Sequence, residues 1–227
     1  MLIALNHISK SYDKKWKALK DVHFRIEKGE FVFLTGPSGA GKTTLLKHIY
    51  MEERPDSGEV LISFNQDLTY QSSITSQSKI QQLRRKMGIV FQDFKLLPDR
   101  TVFENVAFAL RAAGYKNRLI KKRVYEVLSQ CGIAHRALQL PHQLSGGEQQ
   151  RVSISRALAN EPYMILADEP TGNLDPNTAK EIMDIFQNIN ATGTAILMAT
   201  HNEALMKSLP YRCLSLRNGI LKNRDFI

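Results

Sequence analysis

Gly36-Pro37-Ser38-Gly39-Ala40-Gly41-Lys42-Thr43 fits the spacing G-x-x-x-x-G-K-[ST], and the chemistry served by that spacing is the grip of a polyphosphate. Glycines without Cβ let successive backbone N–H groups converge on one phosphate, and a helix starting in the loop adds its positive dipole end. Lys42 supplies a point charge for the β- and γ-phosphates. Thr43 offers a hydroxyl to Mg2+, an ion that takes oxygen ligands and usually bridges protein to phosphate. Much later, the apolar run Tyr163 to Ala167 ends in Asp168 and Glu169. Two carboxylates at the C-terminal end of a buried strand stand where an open α/β sheet places its chemistry. Asp168 can hold Mg2+ through water, and Glu169, pointing elsewhere, could polarise an attacking water as a general base. His201 follows another apolar strand and is either a contact to a γ-phosphate or water, or simply a packed strand-end residue. Tyr12 has the same double reading: an aromatic ahead of the loop can stack on a nucleobase, or it is a half-buried strand-end tyrosine. Together these residues imply binding and hydrolysis of a nucleoside triphosphate.

The elements that must position them can be read outward from the loop. Phe31 to Leu34 is a short apolar strand and Thr44 to Tyr50 begins a helix, so the glycines fall at a strand-to-helix turn. Upstream, Leu2 to Ser9 alternates loosely and predicts an edge strand. Val22 to Ile26 and Phe31 to Leu34 are expected to form a hairpin across Glu27-Lys28-Gly29-Glu30. Glu59 to Phe64 is a strand, and Asn65 to Lys79, rich in Gln, Ser and Thr, is expected to be a mobile surface excursion. A basic helical turn at Gln81 to Lys86 leads into the strand Met87 to Phe91, which ends at Gln92. From Asp93 to about Ala159 the periodicity is helical, predicting a helical lobe inserted into an α/β core. Thr101 and Glu104 have capping-box spacing. Further helices are expected at Asn117 to Gln130 and Gln149 to Ala159, the last with Arg151 and Arg156 on its surface. Asn177 to Asn190 reads as an amphipathic helix, Thr194 to Ala199 as a core strand, and Tyr211 to Ile227 as a hairpin turning at Asn218-Gly219.

The 227 residues suggest one domain or two intimate lobes at about 150 residues per domain. Net charge is 31 − 22 = +9, which suits a nucleic acid or anionic membrane as neighbour, or a plainly basic surface. Cys131 and Cys213 are far apart, form no metal or C-x-x-C spacing, and are expected to be free, reduced core thiols. Met1 to Leu5 is too short for a secretory leader and no run approaches the ~18 apolar residues of a span, so a cytoplasmic chain without its own anchor is expected.

A phosphate loop with an acidic strand end would suit many nucleotide enzymes. Leu144-Ser145-Gly146-Gly147-Glu148-Gln149-Gln150-Arg151 narrows the class. Ser145 and the glycine amides at a helix N-terminus make a second anion site, and the stretch resembles the signature of ATP-binding cassette proteins, in the order that family uses. The resemblance spans essentially the whole chain. It implies an α/β P-loop NTPase with a RecA-like core, an N-terminal antiparallel β subdomain and an inserted helical subdomain: 1–92 and 160–227 as the ATP-binding core, 93–159 as the helical part. It also implies ATP and Mg2+, with residues 36–44 on the phosphates, Tyr12 on adenine, Thr43, Gln92 and Asp168 at the metal, Glu169 as base and His201 as γ-phosphate switch. Ser145, Gly146, Gly147 and Glu148 would face the nucleotide of a second copy in a head-to-tail homodimer, which the loop Asn173-Leu174-Asp175 would contact.

Within the family, Phe91 to Val106 and Met198 to Asn202 are similar to the bacterial cell-division ATPases. That implies an integral membrane partner and a peripheral position on the cytoplasmic face of the inner membrane. Lipoprotein-release ATPases share much of Leu96 to Val106 and form the alternative, together with other transporters. A nucleic-acid-associated cassette ATPase is the less favoured reading, because neither a second cassette nor a long inserted coiled coil is visible. Asn65 departs from the pattern, standing where a turn glycine is common.

Overall fold

The computed structural model describes residues 1–13, 16–65 and 68–224. Its centre is a six-stranded sheet in the order β10-β9-β3-β8-β7-β6, formed by β3 (Phe31–Thr35), β6 (Met87–Val90), β7 (Met164–Asp168), β8 (Ala195–Ala199), β9 (Arg212–Arg217) and β10 (Ile220–Arg224). The first five run parallel, and β10 returns antiparallel to β9 across Asn218-Gly219, as the sequence predicts. Both faces of this sheet are covered, which explains why its strands read as unbroken apolar runs. Phe31, Phe33, Ile165, Ala167, Ile196 and Met198 pack on the helical side. Val32, Leu34, Met164, Leu166, Leu197 and Ala199, one residue out of phase, pack on the other.

That other side is closed by an antiparallel sheet in the order β2-β1-β4-β5, built from β1 (Ile3–Ser11), β2 (Lys17–Ile26), β4 (Ser57–Asn65) and β5 (Leu68–Gln71), with α1 (Lys42–Ile49) and α2 (Gln77–Arg85) beside it. Three expectations fail here. The first strand is not an edge, because β2 and β4 pair on either side of it. Nor do β2 and β3 form a hairpin: the turn at 27–30 carries the chain from one sheet to the other, and β3 inserts between β8 and β9. A turn signal alone does not specify pairing, and β3, buried along its length, gains more between two covered strands than beside a half-exposed one. The stretch 65–79 is likewise no excursion in its described part. Tyr70 is buried against Phe64, Ser72 Oγ accepts from Val60 N–H of β4 at 3.0 Å, and Thr75 Oγ1 accepts from Gln71 N–H at 2.9 Å. Residues 66 and 67 lie outside the described residues, as do 225–227 of the tail.

On the helical side stand α3 (Val102–Ala112), α4 (Asn117–Gln130), α5 (Gly146–Leu158) and α6 (Pro176–Ala191), followed by the short α7 (Glu203–Lys207). The first three pack on one another through Val106, Leu110, Val124, Val127, Leu128, Val152 and Ile154. The start of α3 is fixed as its spacing predicts: Thr101 Oγ1 accepts from Glu104 N–H at 3.2 Å, and Glu104 Oε2 accepts from Thr101 N–H at 2.8 Å. Cys131 and Cys213 are buried and not joined in a disulfide, and burial pushes the Cys131 thiol up to about 11. Among the described residues no helix is long and apolar enough to cross a membrane.

Candidate functional site

Because β3, β8 and β7 are parallel neighbours, their C-terminal ends bring three separate sequence segments to one edge of the sheet. β3 ends at Thr35 and opens into the glycine loop, from which α1 departs. β7 ends at Asp168, followed by Glu169, and β8 runs into Thr200 and His201. The cleft they frame measures about 520 Å3, inside the usual range of small-molecule sites, and is lined by residues 37–44 with Trp16, Gln92, Asp168, Glu169 and His201. Gly36 lies behind it with Thr35 and Ser215. Gly41 caps α1 at φ 104, and a Cβ there would come within 2.5 Å of the Ala18 carbonyl, so this turn excludes side chains both conformationally and by space. Among the described residues no side chain caps the N-terminus of α1, and its first turn holds no acid.

Inside the cleft the ionisable groups are tied to one another. Lys42 Nζ donates to Gly36 O at 2.8 Å and stands 3.3 Å from Glu169 Oε1. The other carboxylate oxygen of Glu169 accepts from His201 N–H at 3.2 Å and from His201 Nδ1–H at 2.9 Å. Glu169 is buried and sits at φ 48, a left-handed conformation that turns its side chain back over the loop. Thr43 Oγ1 donates to Asp168 Oδ2 at 2.7 Å. Burial, with the Glu169 charge adding to it, holds the Asp168 carboxyl above its ordinary value against the opposing Thr43 hydrogen bond and Lys42 charge.

Tyr12 is 45% exposed and its ring stacks on Trp16 at 5.1 Å. Its hydroxyl donates to Glu53 Oε2 at 2.6 Å, and Lys47 Nζ pairs with the other oxygen of Glu53 at 3.0 Å. Burial would raise the Glu53 carboxyl, but these two hydrogen bonds outweigh it and hold the group below its ordinary value. Tyr12 itself is raised, by burial first and by Glu53 second.

The glycine signature stands elsewhere. Ser145 is the N-cap of α5: its Oγ accepts from Glu148 N–H at 3.2 Å, Glu148 Oε2 accepts from Ser145 N–H at 2.9 Å, and Arg136 holds Glu148 at 2.8 Å. Asp175 caps α6, accepting from the amides of Asn177 and Thr178. Neither 144–151 nor 173–175 contributes a described residue to the cleft of the same chain.

Four residues escape a reading by motif. Trp16, the chain's single tryptophan, lines the cleft, and its rarity beside Tyr12 was the available signal. Glu53 carries no motif. Asn105 is fully buried and fixes the loop before α3, donating to the carbonyls of Leu97, Arg100 and Thr101 and accepting from Leu97 N–H. Arg156, expected on the surface, instead reaches across to the carbonyls of Phe94 at 2.8 Å and Lys95 at 2.5 Å. Those two consecutive residues are both left-handed, at φ 58 and 49, so α5 braces the segment just after Gln92. Arg151 is also partnered, with Cys131 O at 2.8 Å and Glu181 at 2.7 Å. A second cavity of similar size, about 530 Å3, opens at the opposite strand ends around Tyr163 and Thr194. Its charged lining is the Arg123–Glu161 pair, whose guanidinium also serves the carbonyls of Leu158 and Ala159, so both charges there are already engaged.

Residues 19–172 match the ABC transporter family. The chain belongs to that family of ATP-binding cassettes, and its activity is ATP hydrolysis. Among curated relatives, the cell division ATP-binding protein FtsE of Bacillus subtilis is 49% identical over 97% of this chain and 94% of its own length. The proteins of the same name from Mycobacterium tuberculosis and Escherichia coli are 46% and 45% identical, each over 97% of this chain and over 94% and 97% of their own lengths. Among solved structures, the dimeric post-hydrolysis state of the ATP-binding cassette MJ0796 with ADP and Pi superposes with a TM-score of 0.86 at 35% identity, over 99% of this chain and all of the other. CbiO1 of Clostridium perfringens, part of the ABC transporter complex cbiONQ, gives 0.86 at 29% identity, over 97% and 86%.

Proposed function

We propose that this chain is the ATPase subunit of a cell-division complex of the FtsEX kind, working as a head-to-tail homodimer beneath an FtsX-like integral membrane protein whose regulation of cell-wall hydrolysis it drives. The observation that carries the reading is the separation of two phosphate-binding helix starts. The α1 start meets Lys42, Glu169 and His201 in one cleft, while the Ser145 start lies outside that cleft, so a nucleotide gripped by both needs two copies. The cell-division names of relatives matched over nearly the whole chain support the pathway.

In this reading Lys42 leaves Gly36 O for the terminal phosphates, and its departure frees Glu169 to orient the attacking water and take its proton. His201, already bonded to Glu169 through Nδ1, positions that carboxylate, and its ring turns toward the γ-phosphate. Residues 37–44 hold the phosphate chain, with Gly36 behind them, and Tyr12, backed by Trp16 and anchored by Glu53, offers its face to adenine. The Thr43 hydroxyl and Asp168 carboxylate, 2.7 Å apart, and the Gln92 amide form the hard oxygen set that suits Mg2+. When bound, Mg2+ neutralises phosphate charge. Ser145, Gly146, Gly147 and Glu148 approach the nucleotide held by the other copy, with Asp175 alongside. The division into an ATP-binding core, 1–92 and 160–227, and a helical part, 93–159, belongs to the same reading: within the helical part Arg156 braces Phe94 and Lys95, just past the junction at Gln92, where the membrane partner would press on 94–103. The chain then sits peripherally at the cytoplasmic face of the inner membrane.

The test is co-purification of the chain from its own cells in mild detergent. Recovery of an FtsX-like membrane protein, with ATP turnover lost in Glu169→Gln, is the expected result. Recovery of a lipoprotein-release or solute permease instead would transfer the chain to the alternative pathway.

A further inference from the structure

On the antiparallel sheet, away from the nucleotide cleft, three ligand-type side chains meet. His7 on β1 and Asp21 and His23 on β2 each direct one donor atom so that all three lie within 4.8 Å of one another, all on exposed residues. They come together through two irregularities of pairing. The register moves from Leu5↔Phe24 to Ile8↔Val22 and then to Lys10↔Leu19, so β1 carries an extra residue at 6–7 and β2 an extra one at 20–21. Each extra residue sits in the left-handed region, His7 at φ 54 and Asp21 at φ 51, and bulges of this kind re-aim side chains. Neither position is glycine, the residue for which that backbone is free. The bulges are built in from both sides: Asp21 N–H donates to Ser9 Oγ at 3.0 Å, and on β4 a Cβ at Gly58 would meet the carbonyl of His7 at 2.2 Å. In the resulting cluster His7 Nδ1–H donates to Asp21 Oδ1 at 2.7 Å and the His7 and His23 rings lie 5.3 Å apart.

We propose that His7, Asp21 and His23 form a surface site for a divalent ion of the zinc class, with two imidazoles and one carboxylate as protein ligands and water completing the shell. Imidazole with carboxylate suits Zn2+, Co2+ and Ni2+, whereas Mg2+ and Ca2+ seek oxygen alone, so this site is chemically distinct from the nucleotide's own metal requirement. The ligands come from two adjacent strands, and the bound ion cross-links β1 to β2. Of the described residues between those strands, Tyr12 and Trp16 stack on each other and Trp16 lines the cleft, so the ion fastens the two strands that lead to this pair.

The experiment titrates the purified full-length chain, nucleotide-free, with ZnCl2 by calorimetry and with CoCl2 by visible absorption, in parallel with thermal melting. The decisive variant is His23→Ala, since His23 occupies a regular strand position. Asp21→Asn, which keeps a residue tolerant of left-handed backbone, accompanies it, and the exposed His142→Ala serves as control. One strong site is expected in the wild type and in His142→Ala, weakened about tenfold or more in the other two, with a zinc-induced rise in melting temperature that His23→Ala loses. A wild-type chain without a site, or His23→Ala and Asp21→Asn binding as tightly as the wild type, would overturn the assignment.

Discussion

The helix starts at α1 and α5 have similar glycine-rich sequences and opposite electrostatic states. α1 begins at a glycine with no side-chain cap and no acid in its first turn, and Lys42 stands beside it. α5 begins at Ser145, whose hydroxyl already occupies the Glu148 amide, and Glu148 places a negative charge in the first turn, balanced by Arg136. A polyphosphate approaching α1 finds open amides and a cation. One approaching α5 finds only the two glycine amides and a hydroxyl, beside a carboxylate. The first can bind alone, and the second adds to a phosphate already neutralised elsewhere. In the proposed homodimer this asymmetry would give affinity to one and closure to the other.

Substitutions can break that division of labour. Glu169→Gln keeps the loop and its amides intact, so nucleotide binding should persist while hydrolysis falls about 10²- to 10⁴-fold, the range lost with a general base. Near wild-type turnover in a single-turnover assay would remove Glu169 from the chemistry. Next in size is Ser145→Ala. It should cut steady-state turnover about tenfold, the weight of one hydrogen bond to a charged group, and lower stability by about 1 kcal/mol through the lost cap. Nucleotide affinity measured at dilutions that keep the chain monomeric should not move, and a matching loss there would erase the contrast between α1 and α5. Glu53→Gln frees the Tyr12 hydroxyl from its carboxylate anchor and should weaken ATP binding about threefold to tenfold with kcat unchanged; a change in kcat alone would mean that Tyr12 acts in a later step.

The smallest effect concerns the back of α1. His48 is fully buried, donates Nδ1–H to Thr44 O at 2.7 Å, and has no partner for Nε2 among the described residues; burial holds its pKa below the ordinary value. The unfolded chain therefore takes up a proton near pH 6.5 that the native chain refuses. The stabilisation is full above that pH and is lost progressively as pH falls from about 6.5 toward the lowered native value. Melting curves between pH 7.5 and 5 should show a steeper decline for the wild type than for His48→Gln, and parallel declines would exclude His48 as the source.

Much of this was legible before the structure, for a physical reason. The phosphate loop, the acidic strand end and the Thr101 cap are local: their function requires particular residues at fixed short spacings, and Asn218-Gly219 dictates its own turn. Which strands pair is not local. Glu27 to Glu30 has the composition of a hairpin turn, yet the chain changes sheets there, because the burial of β3 on both faces is decided by β8 and β9 far downstream. The same holds for Arg156, whose charge suggested solvent while its partners, the carbonyls of Phe94 and Lys95, lie some sixty residues upstream. Tyr12 fell between the cases: its aromatic character was plain, but its anchoring by Glu53 and its partner Trp16 required the fold.

A lone indole on the wall of the cleft makes the molecule self-reporting. Excited selectively, its emission should respond to a nucleotide settling against the Tyr12 face, so that arrival and departure can be timed on the unlabelled chain by stopped-flow with no second tryptophan to subtract.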